Sequence, residues 1–223
     1  MFQKNIFLCP KKRNLFHYFC FKIIFDLTKT ANTYKDAQIW DSFREGDNQA
    51  LSCIYSTHIQ VLFKYGLKIS LDEAFVMDCI HDLFVDMIRH RATVGRIDNI
   101  RHYLIRSLRH KMFRNLKSKR TELFDDYPFL LESAVDDRLY EQETNHHQRL
   151  RLREAINKLP ERQKEVIYLR YIMDFKNEEI AQIMEISHQS VRNMLHKAIE
   201  NLRKNMSKED LILFISIIRK LHI

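Results

Sequence analysis

The stretch "NEEIAQIMEISHQSVRNMLHKAIENLRK", Asn177 to Lys204, reads as two short helices joined by Glu185-Ile186-Ser187. Ile180, Ala181, Ile183 and Met184 give the first an apolar stripe, and small Ala181 allows close approach. Val191, Leu195, Ala198, Ile199 and Leu202 give the second an inward face at helical spacing. On its other face stand Arg192, Asn193, His196 and Lys197, donors near the helix start, where a recognition helix meets base edges. Gln189 and Ser190 sit where phosphates approach a helix N-terminus. An ordinary solvated helix face has the same pattern, and the joint lacks the glycine such turns usually carry. A left-handed Glu185 would cost roughly 1–2 kcal/mol that glycine would not. The surroundings must decide between a DNA-reading helix-turn-helix and a plain helical pair.

Those surroundings are helical. The 223 residues include three glycines and three prolines, too few for strand-and-turn folds or glycine-rich phosphate loops. Hydrophobic residues at 45% suffice for a core. The expected fold is all-α, with two small helical domains joined by an acidic linker. The divisions are an N-terminal extension (1–35), a first block (36–120), the linker (121–147), a second block (148–206) and an apolar tail (207–223). The extension is aromatic and basic and is expected to be poorly ordered. Its apolar runs are broken by His17, Lys22 and Asp26, too short for a bilayer span or a signal core.

Charge is segregated. From Arg89 to Arg120 eleven Arg or Lys face one acid, Asp98, while from Thr121 to Asn145 eight acids face one Arg. The net charge of +8 favours a polyanionic partner. Unopposed cations repel one another unless neutralised, and phosphates would neutralise them. Cys9, Cys20, Cys53 and Cys79 form no CxxC pair and no metal-finger spacing, so free thiols in a reducing compartment are expected.

In the first block, Ile39, Trp40, Phe43, Ala50, Leu51, Ile54 and Tyr55 repeat at the spacing of one buried face. The helix "LDEAFVMDCIHDLFVDMIRHR" turns Phe75, Val76, Cys79, Ile80, Leu83, Phe84 and Met87 inward. "ATVGRIDN" then breaks the chain, and the helix beginning "IRHYLIRSLRHKMFRNLK" buries Tyr103, Leu104 and Leu108. It is expected to leave Arg101, Arg106, Arg109, Lys111 and Arg114 outside. In the second block Leu159-Pro160 ends one helix and "ERQKEVIYLRYIM" restarts it, since the residue before proline avoids helical angles. Asn177 is expected to cap the next helix.

Asp78, His81 and Asp82 share a helix face at i, i+3 and i+4, a spacing that also suits a metal. No second ligand cluster accompanies them, so no metal and no cofactor are expected.

The second block, "LREAINKLPERQKEVIYLRYIMDFKNEEIAQIMEISHQSVRNMLHKAIENLRK", resembles region four of extracytoplasmic-function sigma factors, bacterial promoter-recognition subunits of the sigma-70 family. The matching residues are Leu159-Pro160, Glu179-Ile180-Ala181, Ser187, Ser190-Val191-Arg192, Lys197-Ala198 and Leu202-Arg203. "FREGDNQALSCIYSTHIQVLFKYGLKI" and "VMDCIHDLFVDMIRHR" resemble region two of the same family, with Asp78, His81-Asp82 and Phe84 at its motif positions. The resemblance covers about residues 36 to 205. Glu185 replaces the turn glycine, His81 a Gln, Ile88 a common Trp, and His110 a frequent Asn.

The resemblance implies a non-enzymatic, cytoplasmic specificity subunit that binds core RNA polymerase and promoter DNA and takes no small-molecule substrate. Asp78, His81, Asp82 and Phe84 would contact the polymerase. Arg96, Asn99, Arg106, Arg109, His110, Lys111 and Arg114 would hold the melted minus-ten strand. Gln189, Ser190, Arg192, Asn193, His196 and Lys197 would read the minus-thirty-five element. His110 leaves the minus-ten base preference open. Family members are usually restrained by an anti-sigma factor, often membrane-anchored, which is a further implied partner. The alternatives are a helix-turn-helix regulator acting without polymerase and a metal-dependent helical enzyme built on Asp78, His81 and Asp82.

Overall fold

The structure, a computed structural model, describes residues 36–119, 127–131 and 146–210, together with 212 and 214. The N-terminal extension, most of the acidic linker and most of the tail lie outside the described residues, as do Cys9 and Cys20. Among the described residues all regular structure is helical.

Four helices form the first unit: α1 (Asp36–Glu45), α2 (Asn48–Ile69), α3 (Glu73–His90) and α4 (Ile100–Lys119). Gly46 turns the chain between α1 and α2 at φ 101°, a left-handed conformation suited to glycine. The Asp47 carboxylate then caps α2 by accepting from the Gln49 amide at 2.7 Å. Asp72 caps α3 through the Phe75 amide at 3.0 Å. The apolar stripes meet around fully buried Trp40 and Tyr65. Gly66 permits α2 and α3 to touch, because a Cβ there would lie 2.5 Å from a Val76 methyl carbon.

The loop before α4 is held from α1. Trp40 Nε1 donates to the Gly95 carbonyl at 2.9 Å and Arg44 Nε to the Val94 carbonyl at 2.8 Å. At the start of α4, the Asp36 carboxylate accepts from the Ile100 amide and Asn99 Oδ1 from the His102 amide. These acceptors satisfy amides that have no partner within the helix.

The second unit contains α5 (His146–Asn157), α6 (Glu161–Ile167), α7 (Asn177–Met184) and α8 (His188–Asn205). Pro160 stands at the N-cap of α6, and α6 runs into one π turn over Tyr168–Ile172. Asp174 at φ 56° then reverses the chain toward α7. The cap of α7 is Lys176 rather than Asn177: the Glu179 carboxylate reaches back to the Lys176 amide at 2.8 Å. Glu179 stands at the third helical position, from which a carboxylate can return to the cap amide and also meet the positive end of the helix.

The described piece of the linker is docked. Tyr127, Phe129 and Leu131 are buried. The Leu130 amide donates to the Lys68 carbonyl at the end of α2, and the Phe129 amide to Glu161 at the start of α6. Within the tail, Asp210 accepts two hydrogen bonds from Arg151 of α5, at 2.9 and 3.1 Å, and Phe214 is buried. The units share one continuous apolar core, and α4 packs directly on α7.

Candidate nucleic-acid interface

The joint between α7 and α8 is built without glycine. Glu185 adopts φ 55°, ψ 45°, and the Ile186 amide closes the end of α7 on the Ala181 carbonyl at 3.0 Å. Ser187 caps α8 by accepting from the Ser190 amide, and the two hydroxyls lie 2.8 Å apart. That contact commits Ser190 to the cap. Val191, Ala198 and Leu202 are buried, so the opposite face points outward with Gln189, Arg192, Asn193, His196 and Lys197 exposed. Gln189 Nε2 donates to Asn193 Oδ1 at 2.9 Å across one turn of the exposed face. The face offers a guanidinium, an ammonium and two amides at successive turns, a set that can address both phosphates and base edges.

The basic residues of α4 divide into two groups. Arg106, His110, Arg114 and Lys117 are exposed and follow one another at three or four residues, forming a single ridge. The expectation that Arg101, Arg109 and Lys111 also lie outside is corrected. Arg109 and Lys111 are each 8% exposed and Arg101 is half-buried. Lys111 is drawn onto α3, where its ammonium meets Asp86 at 2.6 Å and holds that carboxyl below the usual range. Arg101 lies over the Phe175 ring, 5.5 Å from its centroid.

Arg109 is enclosed by the second unit. Its Nε donates to Glu165 Oε1 at 2.9 Å and its Nη2 to Oε2 at 3.3 Å. Tyr65 from α2 donates to the same carboxylate at 2.7 Å, and Tyr127 from the linker donates to its other oxygen. The Phe113 ring centroid lies 4.5 Å from the guanidinium carbon. Burial is the strongest single influence and would lower the Arg109 pKa, but the Glu165 charge and hydrogen bonds, joined by Tyr65 and Tyr127, together raise it, so the guanidinium stays ionised. Burial, then Glu165, pushes the Tyr65 and Tyr127 hydroxyls above their usual range. Both partners are desolvated, and four hydrogen bonds to one carboxylate make that tolerable. Nearby, Asn99 Nδ2 donates to the Glu179 carboxylate at 3.1 Å and His102 Nε2 lies 3.2 Å from the Glu179 carbonyl. Arg96 stays exposed in the loop, 3.7 Å from Asp41.

The candidate polymerase face on α3 presents Asp78 and Asp82 to solvent, with His81 half-buried. Phe84 is a core residue, 4% exposed and edge-on to Tyr55 at 5.0 Å, so it offers nothing to a partner in this arrangement. Among the described residues no three His, Cys, Asp or Glu side chains are grouped to hold a metal, and no helix is long and apolar enough to cross a membrane.

Sequence reasoning misses Glu165, Tyr65, Tyr127 and Glu179 as members of the site. The one available signal is Glu165 itself, an acid directly before the apolar run "VIYL". A carboxylate in such a setting needs a buried partner.

The family model for sigma-70 region 4 matches residues 149–202, which span α5 through most of α8. The chain is 26% identical over 164 residues to the RNA polymerase sigma factor SigV of Bacillus subtilis (strain 168), covering 72% of this chain and 93% of that protein. Among solved structures, CnrH in complex with the cytosolic domain of CnrY matches with a TM-score of 0.53 at 20% identity. That alignment covers 77% of this chain and 96% of the other, a likeness of fold.

Proposed function

We propose that this chain is a member of the extracytoplasmic-function branch of the sigma-70 family and serves as the promoter-specificity subunit of a bacterial RNA polymerase. It joins the core enzyme, recognises promoter DNA, helps to open it and performs no chemistry of its own. The observation that carries this reading is the coincidence of the region 4 match with the exposed donor face of α8.

In this reading Arg192, Asn193, His196 and Lys197 read the minus-thirty-five duplex in the major groove, with Gln189 and Ser190 beside the phosphates at the helix start. The loop from Arg96 to Asn99 and the α4 residues Arg106, Arg109, His110 and Arg114 hold the melted minus-ten strand, whereas Lys111, expected among them from the sequence, is held on α3 by Asp86. Electrostatic neutralisation of phosphates supplies affinity and unstacked bases supply selectivity. Asp78, His81 and Asp82 contact the polymerase from α3. The partners are core polymerase, promoter DNA and an anti-sigma regulator, in the cytoplasm. The likeness to CnrH, solved in complex with the cytosolic domain of CnrY, supports a protein regulator for this chain as well.

The test is co-elution of the purified chain with bacterial core polymerase, followed by strand opening on a promoter from its own gene neighbourhood. Stable binding and opening, lost on Arg192→Ala, support the reading. Retained duplex affinity without binding to core would instead leave a helix-turn-helix regulator that acts alone.

A further inference from the structure

Three glycines stand in the chain, and the fold explains two of them. Gly46 takes a left-handed backbone, and Gly66 leaves room for Val76. Gly95, in the loop before α4, has neither reason. Its backbone lies outside the left-handed region, and a Cβ there would meet nothing within 4 Å. The residue is also exposed. Glycine costs conformational entropy on folding, so a glycine without structural use marks either a loose loop or a place where a ligand comes close to the backbone.

The loop is not loose. Its residues Val94, Gly95 and Arg96 are each fastened by a residue of α1. Arg44 Nε donates to the Val94 carbonyl at 2.8 Å, Trp40 Nε1 donates to the Gly95 carbonyl at 2.9 Å, and Asp41 lies 3.7 Å from Arg96 Nε. Asp41 also accepts from Arg44 at 3.3 Å, so both guanidinium groups share one carboxylate. Trp40 is wholly buried and edge-on to Tyr103 of α4 at 5.0 Å between ring centroids, which sets loop and helix on one frame. On the other side the His90 carbonyl, at the end of α3, accepts from the Thr93 and Val94 amides.

We propose that Gly95 is a base-contact residue: its bare peptide, backed by Trp40, is the surface on which one unstacked base of the captured strand rests. Arg96 stands beside it, exposed, for the adjoining phosphate. The direction a Cβ would take at Gly95 is the open side, so any side chain there would stand between base and peptide. Trp40 and Arg44 touch no DNA and act through the loop, as positioning residues. The inference deepens the strand-binding role given above to this loop and to α4, and rests on it.

The probe is single-stranded minus-ten DNA from the promoter used above, bound by the full chain joined to bacterial core polymerase and followed by fluorescence anisotropy. A series of strands, each abasic at one position, locates the contact. Gly95→Ala keeps the fold, because the position is unstrained and open, and its urea midpoint is expected to stay or rise. Its affinity for the intact strand is expected to fall by about 10-fold, the factor that about 1.4 kcal/mol of lost contact gives. At one abasic position the unsubstituted chain should show the same loss and Gly95→Ala no further loss, the non-additivity of two groups in contact. Arg44→Met keeps the apolar stem but releases the Val94 carbonyl. It should give part of that loss, and again none at the same abasic position, whereas a missing cation alone would weaken every strand alike. Arg106→Ala reports the strand-binding role separately, through the phosphates, and is expected to weaken intact and abasic strands equally. A loss on Arg106→Ala with none on Gly95→Ala overturns the proposal and leaves that role standing, as does a Gly95→Ala loss that adds to every abasic position. No loss on either variant refutes the role and the proposal with it.

Discussion

Arg109 and Glu165, fifty-six positions apart, meet at 2.9 Å with the Glu165 side chain wholly excluded from solvent and Arg109 nearly so. The pair joins helix α4 of one unit to helix α6 of the other. Tyr65 and Tyr127 complete the carboxylate's hydrogen bonds, so four segments of the chain converge on one buried charge. Glu165→Leu leaves Arg109 ionised and without its counter-charge, and the expected loss is about 3–5 kcal/mol. The double substitution Arg109→Met with Glu165→Leu removes both charges and is expected to recover most of that loss. Urea unfolding of the two single variants and the double variant measures the difference. Additive losses would show that the pair contributes no coupling.

Glu185 occupies a left-handed position without the glycine that suits it. Glu185→Gly is expected to stabilise the chain by about 1 kcal/mol, because the steric penalty on the Cβ exceeds the entropy glycine loses on folding. The urea midpoint should rise with an unchanged slope. A fall in the midpoint would mean that the Glu185 side chain contributes more than its backbone costs.

The exposed face of α8 should affect binding without affecting folding. Arg192→Ala and Lys197→Ala are each expected to alter stability by no more than about 0.5 kcal/mol. Arg192→Ala should lower affinity for the cognate minus-thirty-five duplex by about 1–3 kcal/mol relative to a scrambled duplex. Lys197→Ala should weaken both duplexes alike and reduce the salt slope by about 1 if it touches a phosphate. Filter binding over a salt series separates the two roles.

Alkali should unfold the chain through its buried tyrosines. Tyr168 is raised to about 12 by burial, against the opposing charge of Arg101, and Tyr65 and Tyr127 are raised as well. In the unfolded chain these hydroxyls ionise near 10, so above about pH 10 the unfolded state binds fewer protons than the folded one. Their contribution is complete below about pH 10 and is lost as pH rises toward about 12. Tyrosinate absorbance should therefore rise in two stages, the second coinciding with loss of helical dichroism. Complete ionisation of all nine tyrosines before any helix is lost would contradict the burial described.

The sequence by itself determined the local structure. Scarce glycine and proline, and apolar residues at three- and four-residue spacing, dictated helices. Gly46, the stretch before Ile100, Leu159-Pro160 and the Glu185 joint marked where they break. Those same stripes gave Trp40, Leu104, Val191 and Leu202 as core, because the partner of an apolar face is always another apolar face. Only the tertiary structure decided the fate of the charged faces. A helical period tells which residues share a side of α4, not which segment lies across from it. Arg109 and Lys111 look alike in sequence to Arg106 and Arg114, yet α6 and α3 bring carboxylates to the first two and leave the second two in water. That difference rests on contacts between residues tens of positions apart, and on the strength of a charge pair once water is excluded. Neither is written in any local pattern.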